Sequence, residues 1–215
     1  MLVYERMSRH PLTIREDTPV NEALKRMREE KVRRFPVLNK KGEMVGIVSE
    51  KDLLYASPSP ATTLSIYELH YLLSKITVKE VMTKEVITVR EDCPIEDAAR
   101  IMVDNKIGGL PVVREDGQLV GIITETDIFK IMLELMGARE QGLRLTLLVP
   151  EKKGVLAELT GVISEQGGNI VSLGTFLGED ITNRLLTLKV SGVEWGELES
   201  ALKDKVLEVI DVRQT

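Results

Sequence analysis

Two short segments of this chain pair a hydroxyl with a carboxylate at the same spacing: Ser49 with Asp52, and Thr124 with Asp127. Each closes an apolar strand pattern, Gly46-Ile47-Val48 or Gly121-Ile122-Ile123, and opens a helix pattern. Where a strand runs into a helix, backbone N–H groups and the helix dipole offer a place for an anion, and a glycine before the junction leaves room for close approach. The pairing is therefore a candidate ligand site. It is equally a capping box, which satisfies orphan N–H groups whether or not anything binds. Acid–base chemistry finds less support. Glu16 with Asp17 and Glu91 with Asp92 are adjacent in strand-to-turn regions, where neighbouring side chains point apart. His10 and His70 have no partner base or nucleophile nearby in sequence, and Cys93 takes the place that Thr18 holds 75 residues earlier. One cysteine and two histidines make no zinc cluster. No catalytic residue, metal ligand or catalytic cofactor is assigned, and the chain is expected not to be an enzyme.

The elements that must position these residues are written twice. Met7 to Leu54 and Met82 to Phe129 align without a gap. In each copy a short strand, Leu12 to Asp17 or Ile87 to Asp92, runs into a turn ending at Pro19 or Pro94. A helix follows, with Val20, Ala23, Leu24 and Met27 recurring as Ile95, Ala98, Ala99 and Met102, a stripe that must face a core. Phe35 to Leu38 with Met44 to Val48, and Leu110 to Val113 with Leu119 to Ile123, read as hairpins turning at Gly42 and Gly117. Each unit is thus strand, helix, strand, strand, helix. Between the copies lies an insertion, Tyr55 to Lys79, whose Ser57-Pro58-Ser59-Pro60 excludes helix until Ser65 can cap one.

After Met136 the duplication stops. Strand patterns at 142–149, 169–176, 183–191 and 206–213 alternate with helix patterns at 155–165 and 194–205, which is the split β-α-β-β-α-β order. The expectation is an α+β protein with units at 1–75, 76–136 and 140–215. The alternating Leu145, Leu147, Val149 and Leu186, Leu188, Val190 predict apolar surface left over for pairing, hence a homodimer or higher homo-oligomer.

Composition supports a globular chain, 43% hydrophobic with a formal charge of −5 and no basic block, so neither nucleic acid nor membrane is an expected partner. The longest apolar stretches, such as 142–150, fall short of a membrane span, and the N-terminus lacks a signal-peptide core. A soluble, cytoplasmic protein is expected.

The doubled unit carries Leu-Thr-Ile or Ile-Thr-Val at its start, Phe-Pro-Val or Leu-Pro-Val in its middle and Gly-Ile-Val-Ser-x-x-Asp or Gly-Ile-Ile-Thr-x-x-Asp at its end. With these motifs it resembles a tandem pair of CBS domains, a Bateman module. The resemblance implies two copies around a pseudo-twofold axis, with clefts for an adenine nucleotide or related ligand: ATP, ADP, AMP or NAD. It implies that Asp52 and Asp127 bond ribose hydroxyls, with Ser49 and Thr124 near ribose or phosphate. It further implies that Thr13, Ile14, Thr88 and Val89 flank the base and that Val37 and Val112 form apolar wall. Arg33 and Arg34 stand where the second copy has Gly108 and Gly109, and are either phosphate partners or a solvated face. On crowding, Asp127 is favoured over Asp52.

The C-terminal unit resembles an ACT domain at Glu151-Lys152-Lys153-Gly154-Val155-Leu156 and Gly167-Gly168-Asn169-Ile170, with Lys153 and Gly168 departing from the family's proline and isoleucine. That likeness implies amino-acid binding at Gly154, Leu156, Asn169 and Ile170, while both turns also serve as helix ends. The order CBS, CBS, ACT resembles the acetoin-utilisation type of regulatory protein. The expected role is sensing of a small molecule on behalf of a protein target. The rivals are an oligomerisation module with empty clefts and a small-molecule enzyme.

Overall fold

The computed structural model describes residues 1–56 and 75–215. The helix expected from Ser65, with His70, and the Ser-Pro-Ser-Pro run lie outside the described residues. The chain divides into two units, Met1–Ile128 and Phe129–Thr215.

In the first unit each copy adopts the expected order. β2 (Ile14–Arg15), α2 (Val20–Glu29), β3 (Arg34–Leu38), β4 (Met44–Ser49) and α3 (Glu50–Tyr55) form one. β5 (Val89–Arg90), α5 (Ile95–Asp104), β6 (Gly109–Val113), β7 (Leu119–Thr124) and α6 (Glu125–Leu135) form the other, with α6 running on into the second unit. The helical stripe is buried as its spacing requires: Val20, Ala23, Leu24 and Met27 pack with Phe35, Val37 and Leu53. Phe35 is fully buried, which stabilises by about 1.5–3 kcal/mol.

Two short helices extend the repeat. α1 (Val3–Arg6) and α4 (Val78–Val81) are equivalent under the 75-residue register, so the duplication begins before Met7 and Met82. Each leading segment serves the other copy. Val3 N donates to Cys93 O and Tyr4 N to Glu91 O, and β1 (Ser8–Arg9) adds to the sheet of the second copy as β1-β7-β6-β5. Reciprocally, Val78 N donates to Thr18 O and Lys79 N to Glu16 O, while Thr83 bridges Ile47. Residues 76–83 therefore pack into the first copy's core through Ile76, Val78, Val81 and Met82.

This crossing also explains the repeated glycines. A Cβ on Gly46 would meet Met82 Sδ at 2.5 Å and Thr83 O at 2.9 Å, and one on Gly121 would collide with the Met7 sulfur. The room at these glycines is taken by the crossing methionines, and the expectation that it serves a ligand is corrected.

The second unit is one antiparallel sheet in the order β11-β8-β10-β9, formed by β8 (Leu143–Pro150), β9 (Asn169–Leu177), β10 (Asn183–Ser191) and β11 (Glu208–Gln214). Its core joins α7 (Val155–Glu165) and α8 (Trp195–Leu202) to the sheet, with Leu145 opposite Leu188 and Leu147 opposite Leu186. Leu145, Leu147, Val149, Leu186, Leu188 and Val190 are all buried within the single chain. Two helices suffice to cover them, so the surplus apolar face on which pairing was argued does not exist.

Candidate functional site

Ser49 is the N-cap of α3, with extended backbone (φ −105°, ψ 162°). Its N–H donates to Asp52 Oδ2 at 2.8 Å and its hydroxyl to the same oxygen at 2.6 Å, while Asp52 N donates to Ser49 Oγ at 3.3 Å. In the second copy Thr124 N and Oγ1 donate to Asp127 Oδ2 at 3.0 and 2.7 Å. Both motifs are thus helix caps. In each, one carboxylate oxygen takes both bonds, and Asp52 Oδ1 accepts none among the described residues. The cap uses half of the carboxylate.

A cleft of about 480 Å³ is lined by Ser49 and Asp52 together with Arg33, Arg34, Glu85, Val86, Ile87, Lys106, Gly108 and Gly109. Both copies contribute, and the arginines and the glycines line the same cleft. Gly108 and Gly109 therefore open the surroundings of Asp52, in the other copy, and do not single out Asp127 as expected.

Arg34 reaches across the glycine pair. A Cβ on Gly109 would collide with Arg34 Nη1, and one on Gly108 would lie 2.6 Å from both Arg34 Nη2 and Glu125 Oε2. Arg34 Nη1 is buried without a hydrogen-bond partner among the described residues. Burial pulls the guanidinium below the usual arginine pKa, Glu125 opposes the shift and Arg33 adds to it. An unmet N–H costs roughly 1–3 kcal/mol, and the guanidinium that carries it belongs to a half-buried side chain lining the cleft. Lys106 lines the same cleft; its φ of 54° is shared by its counterpart Lys31, and each lies just past a helix end where glycine is more usual.

Thr13 lines a different cavity, of about 540 Å³, together with the hairpin turns at 41–44 and 116–119. Ile14 opposite Val37, and Val89 opposite Val112, are buried core residues, so their side chains serve packing. Thr88 follows Ile87 of the cleft. Sequence reasoning missed the contribution of Thr83, Glu85, Val86, Ile87 and Lys106. The signal was present in the alignment of Ile76–Met82 with Met1–Met7, short and disguised by substitutions such as Arg6 for Val81.

In the second unit Gly154 caps α7 with φ 88°, and Leu156 is partly exposed. Asn169 and Ile170 lie beyond the other end of this 11-residue helix, about 16 Å along its axis, and Ile170 packs against the core. One chain does not bring the four together. Among the described residues no group of His, Cys, Asp and Glu is arranged to hold a metal, and no helix is long and apolar enough to cross a membrane.

Residues 3–59 and 78–134 match the CBS domain family, and residues 141–213 match the TTHA0829-like ACT domain family. CBSX2 of Arabidopsis thaliana, solved in complex with AMP, is 33% identical; the similarity covers 61% of this chain and 96% of that one, with a TM-score of 0.51. The CBS domain pair of protein MJ0100, solved with 5′-methylthioadenosine and S-adenosyl-L-methionine, is 28% identical over 65% of this chain and 98% of that one, TM-score 0.52. AcuB of Vibrio cholerae, provisionally assigned to acetoin utilization, is 32% identical over 65% and 96%, TM-score 0.53.

Proposed function

The chain belongs to the CBS domain family, with two CBS domains followed by an ACT domain, and from that premise we propose that it is a non-catalytic sensor of an adenosyl ligand. The observation that carries this reading is the cleft at Asp52, which a half-used carboxylate and the half-buried Arg34 guanidinium line together. A carboxylate accepts from vicinal ribose hydroxyls and a guanidinium takes phosphate, which suits a phosphorylated adenosine such as AMP, ADP, ATP or NAD. The ligands of CBSX2 and MJ0100 support the adenosyl class. In this reading Asp52 and Asp127 bond ribose, Ser49 and Thr124 stand beside it, and the main chain at Thr13, Ile14, Thr88 and Val89 flanks the base. Binding regulates a protein target through differential affinity for two arrangements.

The test is titration of AMP, ADP, ATP, NAD and S-adenosyl-L-methionine into wild type, Asp52→Ala, Asp127→Ala and Arg34→Gln. Loss of a charged acceptor at Asp52 should weaken binding roughly 10-fold to 150-fold, while Arg34→Gln should affect AMP and leave adenosine unchanged. Unchanged affinity in both aspartate variants, with folding intact, would return the motif to a helix cap alone. Steady turnover of any of these nucleotides, lost on one substitution, would replace the sensor by an enzyme.

A homodimer belongs to the same proposal, on new grounds. β9 is an edge strand of nine residues without a charge, whereas the other edge, β11, carries Glu208, Asp211 and Arg213. Charged residues are how sheets protect their edges, and β9 lacks them while exposing Phe176 at 46% and Leu177 at 82%. Antiparallel pairing of β9 with its copy would carry one chain's Asn169 towards the other's Leu177, the end of the sheet from which β8 leads to Gly154. An amino-acid site at Gly154, Leu156, Asn169 and Ile170 would then be completed only in the dimer.

A further inference from the structure

His10 is the one described position where a non-glycine residue has a left-handed backbone (φ 51°) without a helix end to explain it. It also precedes Pro11, whose ring restricts the residue before it. The fold does not require this. The equivalent position in the other copy is Glu85, which makes the same crossing with an ordinary backbone. Strain that one copy carries and the other avoids points to a local role.

His10 sits where two cavities meet. One, of about 280 Å³, is lined by Tyr4, Arg9, Glu91, Arg114 and Gln118; the other, of about 540 Å³, continues past Thr13 and the two hairpin turns. The first gathers two guanidinium groups and an imidazole around a single carboxylate. Their existing bonds are long: Arg9 Nη2 to Tyr4 O is 3.4 Å, Arg114 Nη1 to Gln118 Oε1 is 3.4 Å and Arg114 Nε to Glu91 Oε1 is 3.5 Å. A guanidinium has five donors, so both arginines keep most of theirs. None of these residues lines the cleft at Asp52.

We infer that Arg9, His10 and Arg114 form a second, separate site for a small metabolite bearing an oxyanion, its carboxylate or phosphate held in the smaller cavity by the two guanidinium groups beside His10. Glu91 orients Arg114 and sets a limit on the anionic charge accepted. His10 is a positioning residue whose left-handed backbone places its ring at the junction. Occupancy would tie β1 to β7, the contact by which the N-terminal segment serves the second copy.

Calorimetric titration of inorganic phosphate and, separately, of succinate into the full chain tests this. Both are done in an Arg34→Gln background, which removes the phosphate-binding group proposed for the Asp52 cleft. Saturable binding of at least one probe is expected, phosphate and succinate separating the two oxyanion sources. Arg9→Gln and Arg114→Gln should each weaken it about 10-fold. His10→Gly should raise Tm, by relieving the left-handed backbone, and weaken the anion; a merely structural histidine would raise Tm alone. No saturable binding of either probe at millimolar concentration would overturn the inference. So would binding that survives the double Arg9→Gln, Arg114→Gln variant with its fold intact. Both outcomes are independent of whether adenosyl ligands bind at Asp52.

Discussion

At Gly109 the absence of a side chain has a specific beneficiary. The atoms a Cβ would displace belong to the far end of Arg34, a flexible group that can move, and not to backbone. Gly109→Ala should therefore cost less than about 1 kcal/mol of stability, within the ordinary range for a substitution that a flexible neighbour can accommodate. It should nevertheless drive the guanidinium off its seat. The expected signature is a Tm near wild type with affinity for AMP reduced towards that of adenosine, measured by thermal melting and titration on the same sample. Asp52 illustrates what residue types alone reveal: Ser49 and Asp52 announced both a cap and a ligand site, and the cap is present in full. Arg34 shows the opposite case. Its partner glycines lie in the other copy, and no local pattern states which copy faces which.

Among the elements, α1 and α4 give the sharpest expectation because each is covalently joined to one copy and packed in the other. Val3 and Val78 are both fully buried. Truncating either to alanine removes two methyl groups and leaves a cavity, at a cost of about 2 kcal/mol. Val3→Ala should lower hydrogen-exchange protection first in β6 and β7, and Val78→Ala first in β3 and β4; the reverse pattern would refute the crossing. These short helices were invisible to periodicity, since four residues make a single turn and no stripe. The longer elements were legible for the converse reason. The stripe of Val20, Ala23, Leu24 and Met27 located α2, and alternation across Asn183–Ser191 located β10 with its observed bounds. The strands expected at Leu12 to Asp17 and Ile87 to Asp92 shrink to two residues each, because only Ile14 and Val89 with their neighbours reach a parallel partner.

For the whole molecule, the uncharged edge β9 makes association testable without touching any core. Leu173→Lys with Leu177→Lys places two charges on exposed strand positions and should yield monomers by light scattering, with Tm at low protein concentration little changed. Lys189 should be left alone in such experiments: its buried ammonium donates to Gly137 O at 2.9 Å and Glu140 O at 2.8 Å and holds the segment before β8. The reciprocal exchange of leading segments bears, finally, on how the chain is made. Arg9 finds its partner in Gly121, more than a hundred residues later. A ribosome adding about 5–20 residues per second needs roughly ten seconds to deliver it. Through that interval the start of the chain is an open strand, and the first copy itself stays unfinished until Thr83 emerges. Each half is completed by a segment joined to the other. A lone copy would have to borrow that segment from a twin, and the tandem chain supplies it within one molecule.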